Sequence, residues 1–158
     1  MYGCSFTGHR VIPTEHVSSL ENLVERAIEY AYEKGCRCFY AGGALGFDTM
    51  CAKRIIRFRL LHPDVKFVLV LPCKDQSQRW SERQKDLYEC TLGAADEIIY
   101  TSEEYSSACM KIRNQVLVDK CDMLIAYVQR DRSGASQTLA MAKKAGKEVY
   151  NLFAHVKA

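Results

Sequence analysis

A chain of 158 residues with a formal net charge of +3 suits one domain that can build its own core. Nearly half of its residues are apolar and about a quarter are charged, which excludes a disordered polymer and a membrane-embedded chain. The small positive charge gives no argument for nucleic acid, yet it leaves room for an anionic ligand.

In chain order, Tyr2–Thr7 reads as a first strand. Val17, Leu20, Val24, Ala27, Ile28 and Ala31 recur at helical spacing, with Pro13 and Thr14 as a start and Gly35 as a stop. Arg37–Ala41 reads as a second strand, followed by a glycine loop and a helix from about Gly46 to Leu61. His62-Pro63-Asp64 ends that helix, because a residue before proline avoids helical angles. Lys66–Leu71 (KFVLVL) is almost wholly apolar, as a strand covered on both faces of a parallel sheet would be. A polar loop over Pro72–Trp80 precedes a helix over Ser81–Leu92 that stops at Gly93, and Glu97–Tyr100 is a short strand. The pattern then predicts a helix over Ser106–Lys120, a strand over Met123–Val128 and a loop over Arg130–Ser136. A helix over Gln137–Ala145 ending at Gly146 and a strand over Glu148–Leu152 complete the chain.

Strand–helix alternation of this kind predicts a single three-layer α/β domain over residues 1–158, Rossmann-like, with a mostly parallel sheet and helices on both faces. Right-handed crossovers then gather every strand-to-helix loop at one edge, where such sheets bind ligands.

Five regions at that edge carry candidate chemistry. The first is Phe6-Thr7-Gly8-His9-Arg10, where Gly8 permits a tight turn and Thr7 and Arg10 are phosphate partners. His9 alone carries little weight. The second, Ala41-Gly42-Gly43-Ala44-Leu45-Gly46-Phe47-Asp48, lies between a strand and a helix. Its small residues let amide N–H groups approach an anion at a helix N-terminus, and Asp48 either caps the helix or accepts from a ribose hydroxyl. It is neither G-x-G-x-x-G nor a P-loop, since no Lys-Ser/Thr follows. The third holds Gln76 and Trp80, with Trp80 either stacking on a base or packing onto the fold. The fourth is Arg113-Asn114, with Asp119 beyond it on the same helix. The fifth, with Ser133, Gly134, Ser136 and Thr138, again joins a strand to a helix.

Eight cysteines show no C-x-x-C pair and mostly sit in apolar runs, so they read as reduced, buried thiols with no metal site. No basic segment followed by an apolar run opens the sequence, so a cytoplasmic setting is expected. No cofactor or membrane partner is implied. Pairing through helices into a homo-oligomer is compatible with the pattern.

FTGHR, GGALGFD, Gln76 with Trp80, and RNQVLVDKCDMLIAY followed by a small-residue loop together resemble the YpsA-like (DUF1273) family of the SLOG superfamily. The resemblance runs over nearly the whole chain, and it implies a Rossmann-like fold with a nucleotide-derived or ADP-ribose-like ligand. Two related groups give rival readings. In LOG-type phosphoribohydrolases, which release a base from a nucleoside monophosphate, the catalytic arginine matches Arg113, but the catalytic glutamate falls on Thr138. A hydroxyl cannot stabilise an oxocarbenium-like centre as a carboxylate does. The resemblance therefore implies binding or sensing more than hydrolysis. Any hydrolase would need Arg113 as orienting cation and an acid such as Asp48 or Asp119. In DNA-processing protein A, a similar glycine loop carries an arginine where Leu45 stands here. The charge of +3, with no basic run, argues against a nucleic-acid partner.

Overall fold

The computed structural model describes residues 2–157, so positions 1 and 158 of the expected domain lie outside the described residues. Six strands alternate with five α-helices: β1 (Tyr2–Gly8), α1 (Thr14–Glu33), β2 (Cys36–Ala41), α2 (Phe47–Leu61), β3 (Lys66–Leu71), α3 (Glu82–Ala94), β4 (Glu97–Tyr100), α4 (Cys109–Lys120), β5 (Met123–Tyr127), α5 (Gly134–Lys144) and β6 (Glu148–Asn151). A 3₁₀ turn at Leu152–His155 follows. The strands form one sheet in the order β4-β3-β2-β1-β5-β6, and every pairing is parallel. No helix among the described residues is long and apolar enough to cross a membrane.

The pleat sorts the core into two sides. Cys4, Phe6, Phe39, Phe67, Leu69, Ile125 and Tyr127 join α1 and α2 in one buried cluster. The alternate residues Leu124 and Ala126 pack with Leu139 and Ala142 of α5, while Val68 and Val70 pack with Leu117 of α4. β3 is thus apolar on both faces because both are covered. Ser5, on the α4 side of β1, satisfies its buried hydroxyl by donating to the Leu117 carbonyl at 2.7 Å.

The differences from the sequence expectations lie at element ends. Helix α3 runs through Gly93 to Ala94 rather than stopping at the glycine. Gly93 does not adopt the left-handed conformation that ends helices, which Gly35 and Gly146 do adopt. At its other end, Ser81 and Gln84 form a reciprocal capping box. Helix α4 starts at Cys109, after the expected Ser106. Helix α5 starts at Gly134, ahead of the expected Gln137, because the Ser133 hydroxyl accepts the Ser136 N–H at 3.1 Å and caps the helix there.

Phe39 has no exposed surface and stacks on Phe6 with ring centroids 6.3 Å apart. Truncating Phe39 to alanine should cost about 3–5 kcal/mol of unfolding free energy in urea titrations, and a loss below about 1 kcal/mol would contradict this core assignment.

Candidate functional site

The strand order reverses at β1. The chain steps outward through β2, β3 and β4, then returns to β5 on the other side of β1. The crevice outside the carboxyl ends of β1 and β5 is therefore the topological switch point, where open α/β sheets bind ligands. A cavity of about 270 Å³ lies there. Thr7, Gly8, His9 and Arg10 line it from β1 and its loop, and Ala44 and Asp48 from the second loop and α2. Met110, Arg113, Asn114 and Leu117 of α4 and Ser133, Gly134 and Ala135 at the start of α5 complete the wall.

The loop after β1 is pinned by His9. Its N–H donates to the Tyr127 carbonyl at 3.2 Å, and its carbonyl accepts from the Phe47 N–H at 3.0 Å. Its Nε2 accepts the Gln129 N–H at 2.7 Å, which places any ring proton of the neutral imidazole on Nδ1. His9 thus ties β1, α2 and the segment after β5 together. Gly8 has no room for a side chain, since a Cβ would run into the Phe47 ring. Gly46 precedes α2 with φ +79°, and a Cβ there would strike the Arg10 backbone.

Under the cavity lie two charged groups, Arg113 at 6% exposure and Asp48 at 5%. Arg113 donates through Nη1 to the Gly42 carbonyl, through Nε to Asn114 Oδ1 at 2.8 Å, and through Nη2 to Met110 Sδ at 3.8 Å. Asp48 accepts the Ala44 N–H at 3.1 Å. Gly42 separates the two: a Cβ there would lie 2.6 Å from Arg113 Nη1 and 2.8 Å from Asp48 Oδ2. Burial pushes the Asp48 carboxyl above its ordinary value, against the opposing pull of Arg113, the Ala44 N–H and Arg10. Burial lowers the Arg113 guanidinium, and Asp48 offsets it.

A second cavity of about 440 Å³ adjoins the first, sharing Arg10 and Met110 and adding Gln76, Arg79, Trp80 and Tyr105. Trp80 packs down onto the fold, edge-on to Tyr88 at 5.1 Å between centroids. Gln76 donates to the Tyr88 hydroxyl at 2.8 Å, and its Oε1 is buried without a partner among the described residues.

The fold therefore brings Thr7, Gly8, Arg10, Asp48, Arg113, Asn114, Ser133 and Gly134 to one cavity, and Gln76 and Trp80 to its neighbour. Gly42 backs the charged pair, Gly43 faces Leu71 and Gln76, and Gly46 borders an outer cleft beside α2. Like these three glycines, the expected residues Ser136, Thr138 and Asp119 line neither of the two cavities. Ser136 Oγ donates to the Asp131 and Ser133 carbonyls. Thr138 is fully buried and donates to the Gly134 carbonyl at 2.8 Å. Asp119 is exposed and accepts from Gln115 at 2.9 Å. The sequence reading missed Ala44 and Ala135, which have no side-chain chemistry to reveal them. It also missed Tyr105, which sits in a polar loop without a motif.

These features define a Rossmann-like α/β domain with a polar cavity at its switch point. The model of the YpsA family (YspA SLOG family) matches residues 13–155, and the chain belongs to that family. It is 32% identical over 137 residues to the uncharacterized SPbeta prophage-derived protein YoqJ of Bacillus subtilis strain 168, covering 79% of this chain and 76% of that one. It is 26% identical to a UPF0398 protein of Bacillus anthracis strain A0248, covering 85% of this chain and 74% of the relative. Among solved structures, DNA processing protein A from Streptococcus pneumoniae superposes with TM-score 0.66 at 18% identity, over 94% of this chain but 49% of its own. DNA processing protein A from Helicobacter pylori, described for its single-stranded DNA binding mode, gives TM-score 0.64 at 14% identity, over 94% of this chain and 63% of its own. The chain thus spans about half of the first and under two thirds of the second.

The raised carboxyl of Asp48 fixes the sign of a pH effect. The folded chain holds this proton more tightly than the unfolded chain does. The resulting stabilisation is fully present below the ordinary value of 3.8 and is lost as pH rises through the raised value. Asp48→Asn lacks this contribution, and it leaves Arg113 less compensated than wild type only at pH values where Asp48 is ionised. As pH rises through the ordinary value of 3.8 and on through the raised one, wild-type stability should therefore decline relative to Asp48→Asn in denaturant titrations. Parallel profiles would remove the assignment.

Proposed function

We propose that the chain binds or senses a small nucleotide or nucleotide derivative, a nucleoside phosphate or an ADP-ribose-like molecule, in the switch-point cavity. The observation that carries this reading is the convergence of three anion-favouring features on one space. These are the start of α5 at Gly134 and Ala135, the buried Arg113, and the exposed Arg10. First-turn amides have no acceptor within their helix, and the helix dipole adds roughly half a positive charge at that end. Thr7 and Ser133 add hydroxyls suited to a phosphate or ribose.

Arg10 is the informative residue to remove, because its side chain makes no hydrogen bond or ion pair among the described residues. Arg10→Ala should leave thermal stability near wild type. It should weaken the binding of AMP or ADP-ribose in calorimetry by about 10- to 100-fold, the worth of a charge-assisted hydrogen bond. Equal affinity in wild type and variant would sink the reading.

Two further readings have a specific observation each. Asp48 is the one carboxylate lining the cavity among the described residues, and its burial raises its pKa, as a general acid requires. A glycosidic-bond hydrolase built on Asp48 and Arg113 would release free base from AMP or ADP-ribose and lose that activity in Asp48→Asn. For nucleic acid, Arg10, Lys53 and Arg57 line an outer cleft of about 760 Å³ beside α2, and the similar fold of the Helicobacter pylori protein supports asking the question. Single-stranded DNA would then bind with an affinity that falls steeply with salt and weakens in Lys53→Ala with Arg57→Ala. The absence of any shift at low salt would close this reading.

A further inference from the structure

Right-handed crossovers put α1, α2 and α3 on one face of the sheet as the chain steps from β1 to β4, and α4 and α5 on the other as it returns. The α1-side face of β5 and β6 consequently has no helix of its own. The segment after β6 runs back over it instead, and the Lys157 N–H donates to Ser19 Oγ on α1 at 3.0 Å. Between α1 and this returning segment lies a cleft of about 640 Å³, which shares no lining residue with the switch-point cavity.

The floor of the cleft is Ile125 and Leu152, both buried, and Leu23 and Ala27 of α1 form a wall. The Tyr30 and Tyr150 hydroxyls, 3.0 Å apart, close one end. The Glu148 carboxylate beside them is engaged, accepting from Tyr150 at 2.7 Å. The rim carries Arg26, His155 and Lys157. Among the described residues, none of these three side chains makes an ion pair or hydrogen bond. The volume lies within the ~300–1,000 Å³ of small-molecule sites, and an apolar lining with a few polar groups is their usual make-up.

We propose that this cleft binds a small amphipathic carboxylate. The hydrocarbon part lies on Leu23, Ala27, Ile125 and Leu152, and the carboxylate meets Arg26 and Lys157. The sign of the rim selects the ligand class, since an ammonium headgroup would face two permanent cations. The size and concavity suit a ligand rather than a second protein, which needs a broad contact of about 800 Å² per partner.

Octanoate, octanol and octylammonium, titrated into the full chain while the Ile125 and Leu152 methyl resonances are followed by NMR, test this directly. Octanoate should give saturable shifts of those methyls. Removing both charges (Arg26→Ala with Lys157→Ala) should weaken it by about tenfold or more. Ala27→Trp, which fills the cleft from α1, should abolish the shifts, with circular dichroism confirming that each variant is folded. Octanol or octylammonium binding as tightly as octanoate overturns the proposal. So do octanoate shifts that persist in Ala27→Trp, and methyl shifts that follow protein concentration without any ligand, which would mark the face as a contact between copies.

Discussion

The reversal of strand order at β1 is the constraint from which the rest of this molecule follows. A right-handed crossover cannot change the side of the sheet on which it lies without changing the direction of travel. Stepping outward from β1 to β4 commits α1–α3 to one face, and the return to β5 commits α4 and α5 to the other. Two spaces are left by that decision. One is the crevice between the carboxyl ends of β1 and β5, walled by helices from both layers. The other is the α1-side face of β5 and β6, where the 3₁₀ turn and the residues after it complete the cover that α1 and α2 begin over Tyr127. The same topology lines the first with the strand-to-helix loops, α2, α4 and the start of α5, and the second with α1 and the segment that returns after β6.

Within the crevice, the buried pair of Asp48 and Arg113 determines what the cavity can hold. Each charge is expensive to bury alone, and the two face the same glycine from different helices. Gly42 is required there because any side chain would occupy the space between them. Arg113 spends its donors on the Gly42 carbonyl, Asn114 and Met110, so it is held rigidly beneath the cavity rather than free to reach. Arg10, by contrast, is exposed and unattached at the mouth. The cavity thus has one guanidinium held by the fold beneath it and another exposed at its mouth.

Much of this was legible in the sequence, and the exceptions have physical reasons. β3 declared itself by an unbroken apolar run, and α1 by a stripe at helical spacing. The glycine loops were legible because small residues between a strand and a helix have few other uses. The strand order was not, since alternation of strands and helices fits several doubly wound sheets equally well. The loops could therefore be assigned to one edge but not to particular neighbours, and Gln76 with Trp80 could not be separated from the cavity beside Arg113. The α5 start was misplaced because Ser133 and Ser136 both read as loop residues. Only the hydroxyl-to-amide bond between them reveals the cap. Gly93 misled in the opposite sense, because a glycine marks a helix end only when its backbone turns left-handed.

That displacement of α5 bears on chemistry. With Ser133 as the cap, Thr138 falls on the inward stripe of α5 with Leu139 and Ala142, fully buried, and its hydroxyl returns to the Gly134 carbonyl. A hydroxyl tolerates that position because it satisfies itself within the helix. The helix whose first residues line the cavity keeps its inward stripe for packing on β5 and β6. The buried, self-bonded hydroxyl of Thr138 leaves Asp48 as the one carboxylate that lines the cavity among the described residues.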